Sequence, residues 1–346
     1  MIRLECDYAE GAHPRVLRRL TETNFDQTAG YGEDKFCDTA RAQIRGLCGG
    51  GEPMAVHFLV GGTQVNTTVI AAALRPHQGV IAASSGHINV HETGAIEATG
   101  HKVLAIPSED GKITAADIRA LWKAHWTDTS HEHMVQPGMV YLSQPTENGT
   151  LYTLRELDAI WQVCQTKGLI LYIDGARLGY GLTSEACDMN LPDLARRCDA
   201  FTIGGTKQGL LFGEALVIRN RALNRDFRYL IKQHGGLLAK GRLLGVQFSA
   251  ILEEELYFTL AQQANAFAMQ IRRAFEAAGC PMLYDSYTNQ QYPILPDKML
   301  RDLEKEFVFT FWSKVDETHT AVRVCTSWAT TQTTVEKLLQ RLKKYA

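Results

Sequence analysis

The feature that most constrains this chain is an alternation. Short, continuous apolar runs recur at residues 55–60, 79–83, 102–106, 139–142, 169–173, 201–203 and 215–218, and most are separated by stretches that read as helix. A strand that is apolar at every position is buried on both faces, and such strands separated by helices pair in parallel. The expectation is a mostly parallel, doubly wound α/β sheet whose ligands bind at the carboxyl ends of the strands. Helices are expected from about 63 to 74, near 90–99 and over 153–167, with the histidine-rich stretch 126–137 as a surface loop. Beyond about residue 220 the pattern changes. Two long helical stretches over 221–279 precede short strands at 293–296, 307–312 and 321–325 and helices near 297–305 and 331–345, punctuated by Pro281, Pro293 and Pro296. This predicts a large domain over residues 1–245, roughly the first 12 residues forming an N-terminal arm, and a small C-terminal α+β domain over 246–346.

Charge and cysteine usage narrow the function. With 36 Lys+Arg against 38 Asp+Glu the net charge is −2, so the chain lacks the basic surface that nucleic acids and anionic membranes require. None of the 8 cysteines stands in a C-x-x-C pair, and His125, His131 and His133 lack a matching cysteine or carboxylate pattern, so no metal is expected. The first residues carry no apolar signal segment and no run is long enough to span a bilayer, so a reduced, cytoplasmic protein is expected.

Four segments can carry chemistry. Asp174, at the tip of a strand in Ile173-Asp174-Gly175-Ala176-Arg177, is either a helix cap or a ligand group. Lys207, in Gly204-Gly205-Thr206-Lys207, is either a solvated loop lysine or a desolvated amine made nucleophilic toward a carbonyl. Gly61-Gly62-Thr63-Gln64 opens a helix after a strand. Its backbone N–H groups suit a phosphate, while the spacing fits neither a P-loop nor a dinucleotide fingerprint. His87 follows a strand and precedes Glu92; alone it reads as a hydrogen-bonded structural residue or a site residue.

In the order 62, 87, 174 and 207, with the lysine 33 positions after the acid, these elements resemble the fold type I pyridoxal-phosphate enzymes. Ala29-Gly30-Tyr31-Gly32-Glu33-Asp34, the pair His87 and Glu92, Asp174-Gly175-Ala176-Arg177 and Val322-Arg323-Val324 resemble, more narrowly, the low-specificity L-threonine aldolases of the β-eliminating lyase group. The resemblance runs from Asp7 to the last helix. It implies pyridoxal 5'-phosphate as cofactor, a homodimer or homotetramer, and cleavage of L-threonine, L-allo-threonine or related β-hydroxy-α-amino acids to glycine and an aldehyde.

The roles it implies follow residue by residue. Lys207 would hold the cofactor through its amine, Asp174 would pair with the pyridine nitrogen, and His87 would stack on the ring. Gly62, Thr63 and Gln64, with Thr206 beside them, would hold the phosphate. Tyr31 would approach it in its own chain or from a neighbouring subunit. Arg177 would sit near the cofactor's phenolic oxygen and the substrate carboxylate, Arg323 would join it as a carboxylate clamp, and Cys6 stands where the family usually has serine. A family histidine that contacts the substrate hydroxyl falls within His131–His133, with His133 the choice, and the base on that hydroxyl would be His133 or a bound water. Two stretches depart from the family: Gln144-Pro145-Thr146-Glu147-Asn148-Gly149 replaces Glu-Asn-Thr-His-Asn-Gly, and Thr206-Lys207-Gln208 replaces Ser-Lys-Gly. Both put specificity in question. The rival readings are β-elimination on another amino acid with the same cofactor, and a module of the same fold that has lost catalysis.

Overall fold

The computed structural model describes residues 1–50 and 54–345. A seven-stranded sheet holds β2 (Ala55–Leu59), β3 (Gln78–Ala83), β4 (Val103–Ile106), β5 (Gln136–Ser143), β6 (Ile170–Asp174), β7 (Ala200–Gly204) and β8 (Glu214–Ile218), in the order β2-β8-β7-β6-β5-β3-β4. Only β8 runs against its neighbours, pairing antiparallel with both β2 and β7. The seven apolar runs of the sequence are these seven strands.

Their continuous apolarity has a geometric cause. Successive side chains point to opposite faces, and both faces are covered. Val140, Leu142, Leu171 and Ile173 face one apolar cluster, while Met139, Tyr141 and Tyr172 face another. Helix Leu154–Lys167 starts on a reciprocal Thr153–Glu156 cap and stops at left-handed Gly168, as its sequence suggests.

Several helices differ from expectation. Pro14–Glu22, Lys35–Leu47 and Ala115–Thr127 were not expected, the last carrying a Thr114–Asp117 capping box. The segment near 90–99 divides into His87–Val90 and Ala95–Ala98, because Thr93 and Gly94 take positive φ between them. The stretch over 221–279 is four helices: Arg221–Asn224, Phe227–Gln233, Arg242–Leu252 and Leu256–Ala277. Positive φ at Asp226, Gly235, Glu254 and Glu255 marks the breaks.

The remaining strands are β1 (Ile2–Arg3), β9 (Gln290–Gln291), β10 (Ile294–Pro296), β11 (Phe307–Val308), β12 (Thr310–Lys314) and β13 (His319–Cys325). β13 is flanked by β10 and β12 and pairs also with β9, all antiparallel, while β1 lies parallel to β11. A third apolar cluster, with Leu4, Phe275, Phe307, Val322 and Leu338, sits under this α+β part.

Candidate functional site

The carboxyl ends of β2, β3, β5, β6 and β7 and the amino end of β8 share one edge of the large sheet, and the chemistry gathers there. Asp174 ends β6 in register with Ser143 at the end of β5. A Cβ on the next residue, Gly175, would stand 2.0 Å from the Thr202 carbonyl oxygen, so only glycine makes this turn. Asp174 is buried and accepts three hydrogen bonds: from the Ala176 N–H at 2.9 Å, the Tyr141 hydroxyl at 2.8 Å and Asn66 Nδ2 at 3.1 Å.

A closed ring of polar contacts extends from it. Asn66 Nδ2 also donates to Glu92 Oε1 at 2.7 Å, and Glu92 Oε1 meets His87 Nδ1 at 2.7 Å. Ser143 Oγ donates its one hydrogen to Glu147 Oε1 at 2.6 Å and lies 3.2 Å from the Tyr141 hydroxyl. Glu147 Oε1 accepts the His87 N–H at 2.9 Å, closing the ring. Burial alone would depress the His87 pKa, but the Glu92 hydrogen bond and the nearby Asp174 and Glu92 charges outweigh it and the pKa is raised.

Lys207 sits in the turn between β7 and β8. Its carbonyl accepts the Tyr180 hydroxyl at 2.6 Å, and the N–H groups of Gly205 and Thr206 bond the Gly213 carbonyl. The backbone is therefore fixed, while Lys207 Nζ has no hydrogen-bond or ion-pair partner among the described residues. Its charge is felt by Asp7, His87 and Glu214, which places it within this cluster.

Glu214 is a group the sequence reading did not single out. It is 3% exposed, with Oε2 unpartnered. Burial pushes its pKa up, the Lys207 charge pulls it down, and the result is about 8. A carboxyl raised this way in the folded state contributes stability that is full below the unfolded value of ~4.3 and is lost as pH rises through about 8. Glu214→Gln removes that titration. Cofactor-free wild type is therefore expected to lose a few kcal/mol relative to the variant between pH 5 and 9, seen as melting temperatures that diverge in the variant's favour. Parallel curves would contradict this.

The helix Gly62–Ala73 begins at the same edge. Its cap residue Gly61 provides no side-chain bond, and a Cβ on Gly61 or Gly62 would meet nothing within 4 Å. The first-turn N–H groups thus face open space, the arrangement that binds phosphate. Thr63 is exposed beside them. Gln64 has its side chain engaged, Oε1 accepting the Val60 N–H at 3.2 Å and Nε2 donating to the His234 carbonyl at 3.0 Å, so what it offers a phosphate is its first-turn backbone N–H. Thr206 Oγ1 accepts the Gly213 N–H at 3.1 Å.

The two arginines differ. Arg177 donates to Asp7 through Nε at 2.7 Å and Nη2 at 2.9 Å, and Asn289 Nδ2 adds a bond to Asp7 at 2.9 Å. Asp7 is fully buried and the Arg177 side chain is 13% exposed; burial disfavours both charges, yet pairing raises the Arg177 pKa and lowers that of Asp7. Arg323 reaches only neutral groups: the Glu5 carbonyl at 2.9 Å, Gln290 Oε1 at 3.4 Å and Thr310 Oγ1 at 3.5 Å, with Nε buried and unpartnered. It forms no ion pair among the described residues. Both arginine charges act on His91 and Tyr292, so they share one neighbourhood, and Cys6 lies near it through Cys325.

Two expected residues are not brought here. His133 lies in the turn His131–His133, just before β5 begins, so β5 separates it from the edge that holds Ser143 and Asp174. Its neighbour His131 is packed against His125 and Trp126. Tyr31 is 47% exposed, with Lys232 Nζ 4.8 Å from its ring centre, and no hydrogen bond or ring contact joins it to the cluster among the described residues. Gln144 and Gln208 are likewise structural. Gln144 bonds the Tyr152 backbone in both directions, and Gln208 Oε1 accepts the Gly179 N–H at 3.0 Å. Of the departing residues, Glu147 is the one whose side chain enters the ring. Asn66, Tyr141, Ser143, Asp7 and Glu214 join it without having been singled out. Asn66 and Glu214 carry a signal, each being polar within or beside an apolar run.

An unpartnered amine, a buried carboxylate, an open helix start and a carboxylate-free arginine fit a pyridine that bears an aldehyde and a phosphate, together with an amino-acid substrate. A family model described as beta-eliminating lyase matches residues 7–297, and the chain belongs to that family, whose members are pyridoxal-phosphate-dependent lyases. Low specificity L-threonine aldolase of Pseudomonas aeruginosa is 32% identical over 264 residues, covering 76% of this chain and 75% of that protein. The structure of Leishmania major threonine aldolase superposes with a TM-score of 0.96 at 42% identity, covering 99% of both chains. Aspartate aminotransferase of Thermus thermophilus, at 13% identity, TM-score 0.71 and coverage of 100% of this chain and 92% of that one, shares the fold type I architecture alone. Among the described residues no helix is long and apolar enough to cross a membrane.

Proposed function

We propose that this chain cleaves L-threonine and related β-hydroxy-α-amino acids by a retro-aldol reaction, giving glycine and an aldehyde. The observation that carries this reading is the meeting of an unpartnered Lys207 amine with Asp174 and His87 at one edge of the large sheet, with a carboxylate-free Arg323 on β13 near enough for its charge to act on His91. The similarity to threonine aldolases supports the choice of bond.

Bound pyridoxal 5'-phosphate supplies an electron sink for the pair left at the substrate α-carbon. Lys207 would hold it; Gly62 and Thr63, through the helix start, and Thr206 would hold its phosphate; Asp174 would face its ring nitrogen; and His87, fixed by Glu92, would cover its ring. Arg323 would take the substrate carboxylate, with Cys6 and the Asp7-braced Arg177 beside it. That grip turns the Cα–Cβ bond into the orientation in which it breaks. Lys207, displaced by the substrate amine, would return a proton to the α-carbon. Tyr31 would serve a neighbouring subunit in a homodimer or homotetramer. We place the enzyme in the cytoplasm on the strength of its eight free cysteines. We divide it into a large part, expected over 1–245, and a small part, expected over 246–346, although the helix Arg242–Leu252 runs through that boundary and packs into the large part's core; the first dozen residues form an arm against the second part, where β1 pairs with β11.

Aldehyde release from L-threonine tests the reading. Arg323→Ala is expected to raise the KM roughly 10- to 100-fold, the worth of a charge-assisted carboxylate contact, with a smaller change in kcat. An unchanged KM would remove Arg323 from the site.

A further inference from the structure

We propose that Glu147 takes the proton from the substrate's β-hydroxyl as the Cα–Cβ bond breaks, a role that rests on the retro-aldol reading above. With His133 beyond the far end of β5, this chain offers no histidine at the position that reading assigned to the base. Glu147 stands in the turn after β5, on the site edge, bonded to the backbone of the residue that would cover the ring. Its Oε1 is occupied by Ser143 Oγ at 2.6 Å and the His87 N–H at 2.9 Å, which fix the carboxyl in place. Its Oε2 has no partner among the described residues, and the half-buried side chain leaves that oxygen unenclosed. The Glu147 carbonyl accepts the hydroxyl of Tyr292, a residue under the charges of Arg177 and Arg323, so the carboxyl lies between the ring-covering histidine and the carboxylate clamp. An amino acid held by that clamp against the ring would bring its β-carbon substituent to this side.

The electrostatics suit the task. His87, Asp174, Tyr141, Tyr152 and Tyr292 are the titratable groups that interact with Glu147 from the elements packed around it. Burial pushes its pKa up, the Ser143 hydrogen bond pulls it down, the Asp174 charge pushes it up, and the net shift is upward. A base works best when its pKa approaches the working pH. The step balances within the reaction: the hydroxyl proton passes to Glu147, the O–H electron pair becomes the second bond of the aldehyde C=O, and the Cα–Cβ pair passes to Cα. Cα then takes a proton to give glycine, and Glu147 returns its proton to solvent.

The test uses the holoenzyme. Glu147→Gln keeps the size and can accept the Ser143 and His87 bonds, but it cannot take the proton. L-Threonine cleavage is expected to fall about 100-fold or more in kcat. Exchange of the glycine α-hydrogen with deuterated water needs no hydroxyl proton; it should stay within about threefold, and the visible absorbance of the bound cofactor should be unchanged. Cleavage at the wild-type rate would overturn the proposal. So would loss of exchange or absorbance as large as the loss of cleavage, or a comparable loss confined to His133→Asn or His91→Asn. Ser143→Ala provides a second reading, because removing this donor should move the acid limb of the kcat profile to higher pH; an unmoved limb counts against Glu147. Wild-type protein that exchanges glycine but cleaves no β-hydroxy amino acid would defeat the retro-aldol reading itself.

Discussion

Replacing Lys207 with alanine is expected to reduce aldehyde release from L-threonine by about 10⁴-fold or more, since loss of a residue that forms the covalent link removes the chemical route and not merely a contact. The fold should survive. The Lys207 turn is held through its backbone, by Tyr180 at 2.6 Å and by the Gly205 and Thr206 N–H groups on Gly213, and alanine keeps all of these. Nζ has no hydrogen-bond or ion-pair partner among the described residues, so its removal breaks no such bond. The measurement is acetaldehyde release alongside a melting curve. A variant that melts like wild type and is inactive meets the expectation, whereas activity within tenfold of wild type would remove Lys207 from the chemistry.

Asp7→Ala carries the largest expected effect on stability. It strands Arg177, a largely buried cation that gives two bonds to Asp7 at 2.7 and 2.9 Å. Breaking a buried pair by removing one partner costs roughly 3–5 kcal/mol, because the remaining charge has lost both water and its counter-ion. Replacing both partners with apolar residues should recover most of that loss. The pH dependence has a definite sign. Burial raises the Asp7 pKa, but Arg177, Lys207 and Asn289 outweigh it and the pKa is lowered. The pair therefore contributes stability above the unfolded value of ~3.9 that is lost as pH falls through the lower, folded value. Denaturant melts of wild type and Asp7→Ala at pH 7 measure the cost, and a difference below about 1 kcal/mol would show that the pair is not a brace.

The parts legible in the sequence are those set by local pattern. Strands buried on both faces announce themselves as unbroken apolar runs, so all seven of the large sheet could be placed, and the residues at their tips, Asp174, Lys207 and His87, follow from that placement. Helices broken by isolated left-handed residues were read as longer than they are, because Asp226, Glu254 and Glu255 carry no glycine-like signature. The site's inner ring was hidden for another reason. Asn66 lies on one segment and Tyr141, Ser143 and Glu147 on another, and they meet around Asp174 only when strand register sets Ser143 beside it. Asp7 reaches Arg177 across 170 residues of chain, a separation over which no local pattern operates. His133 shows the converse: its residue type suited a base, but it precedes β5 while the chemistry follows it.

The most direct test of the central claim is to incubate the purified, yellow protein with L-threonine and quantify both pairs of possible products. Equal amounts of acetaldehyde and glycine are the expected result, formed by breaking Cα–Cβ. Release of 2-oxobutanoate and ammonia instead, with no glycine, would mean that the same cofactor and the same arginines serve a β-elimination, and would contradict the retro-aldol account.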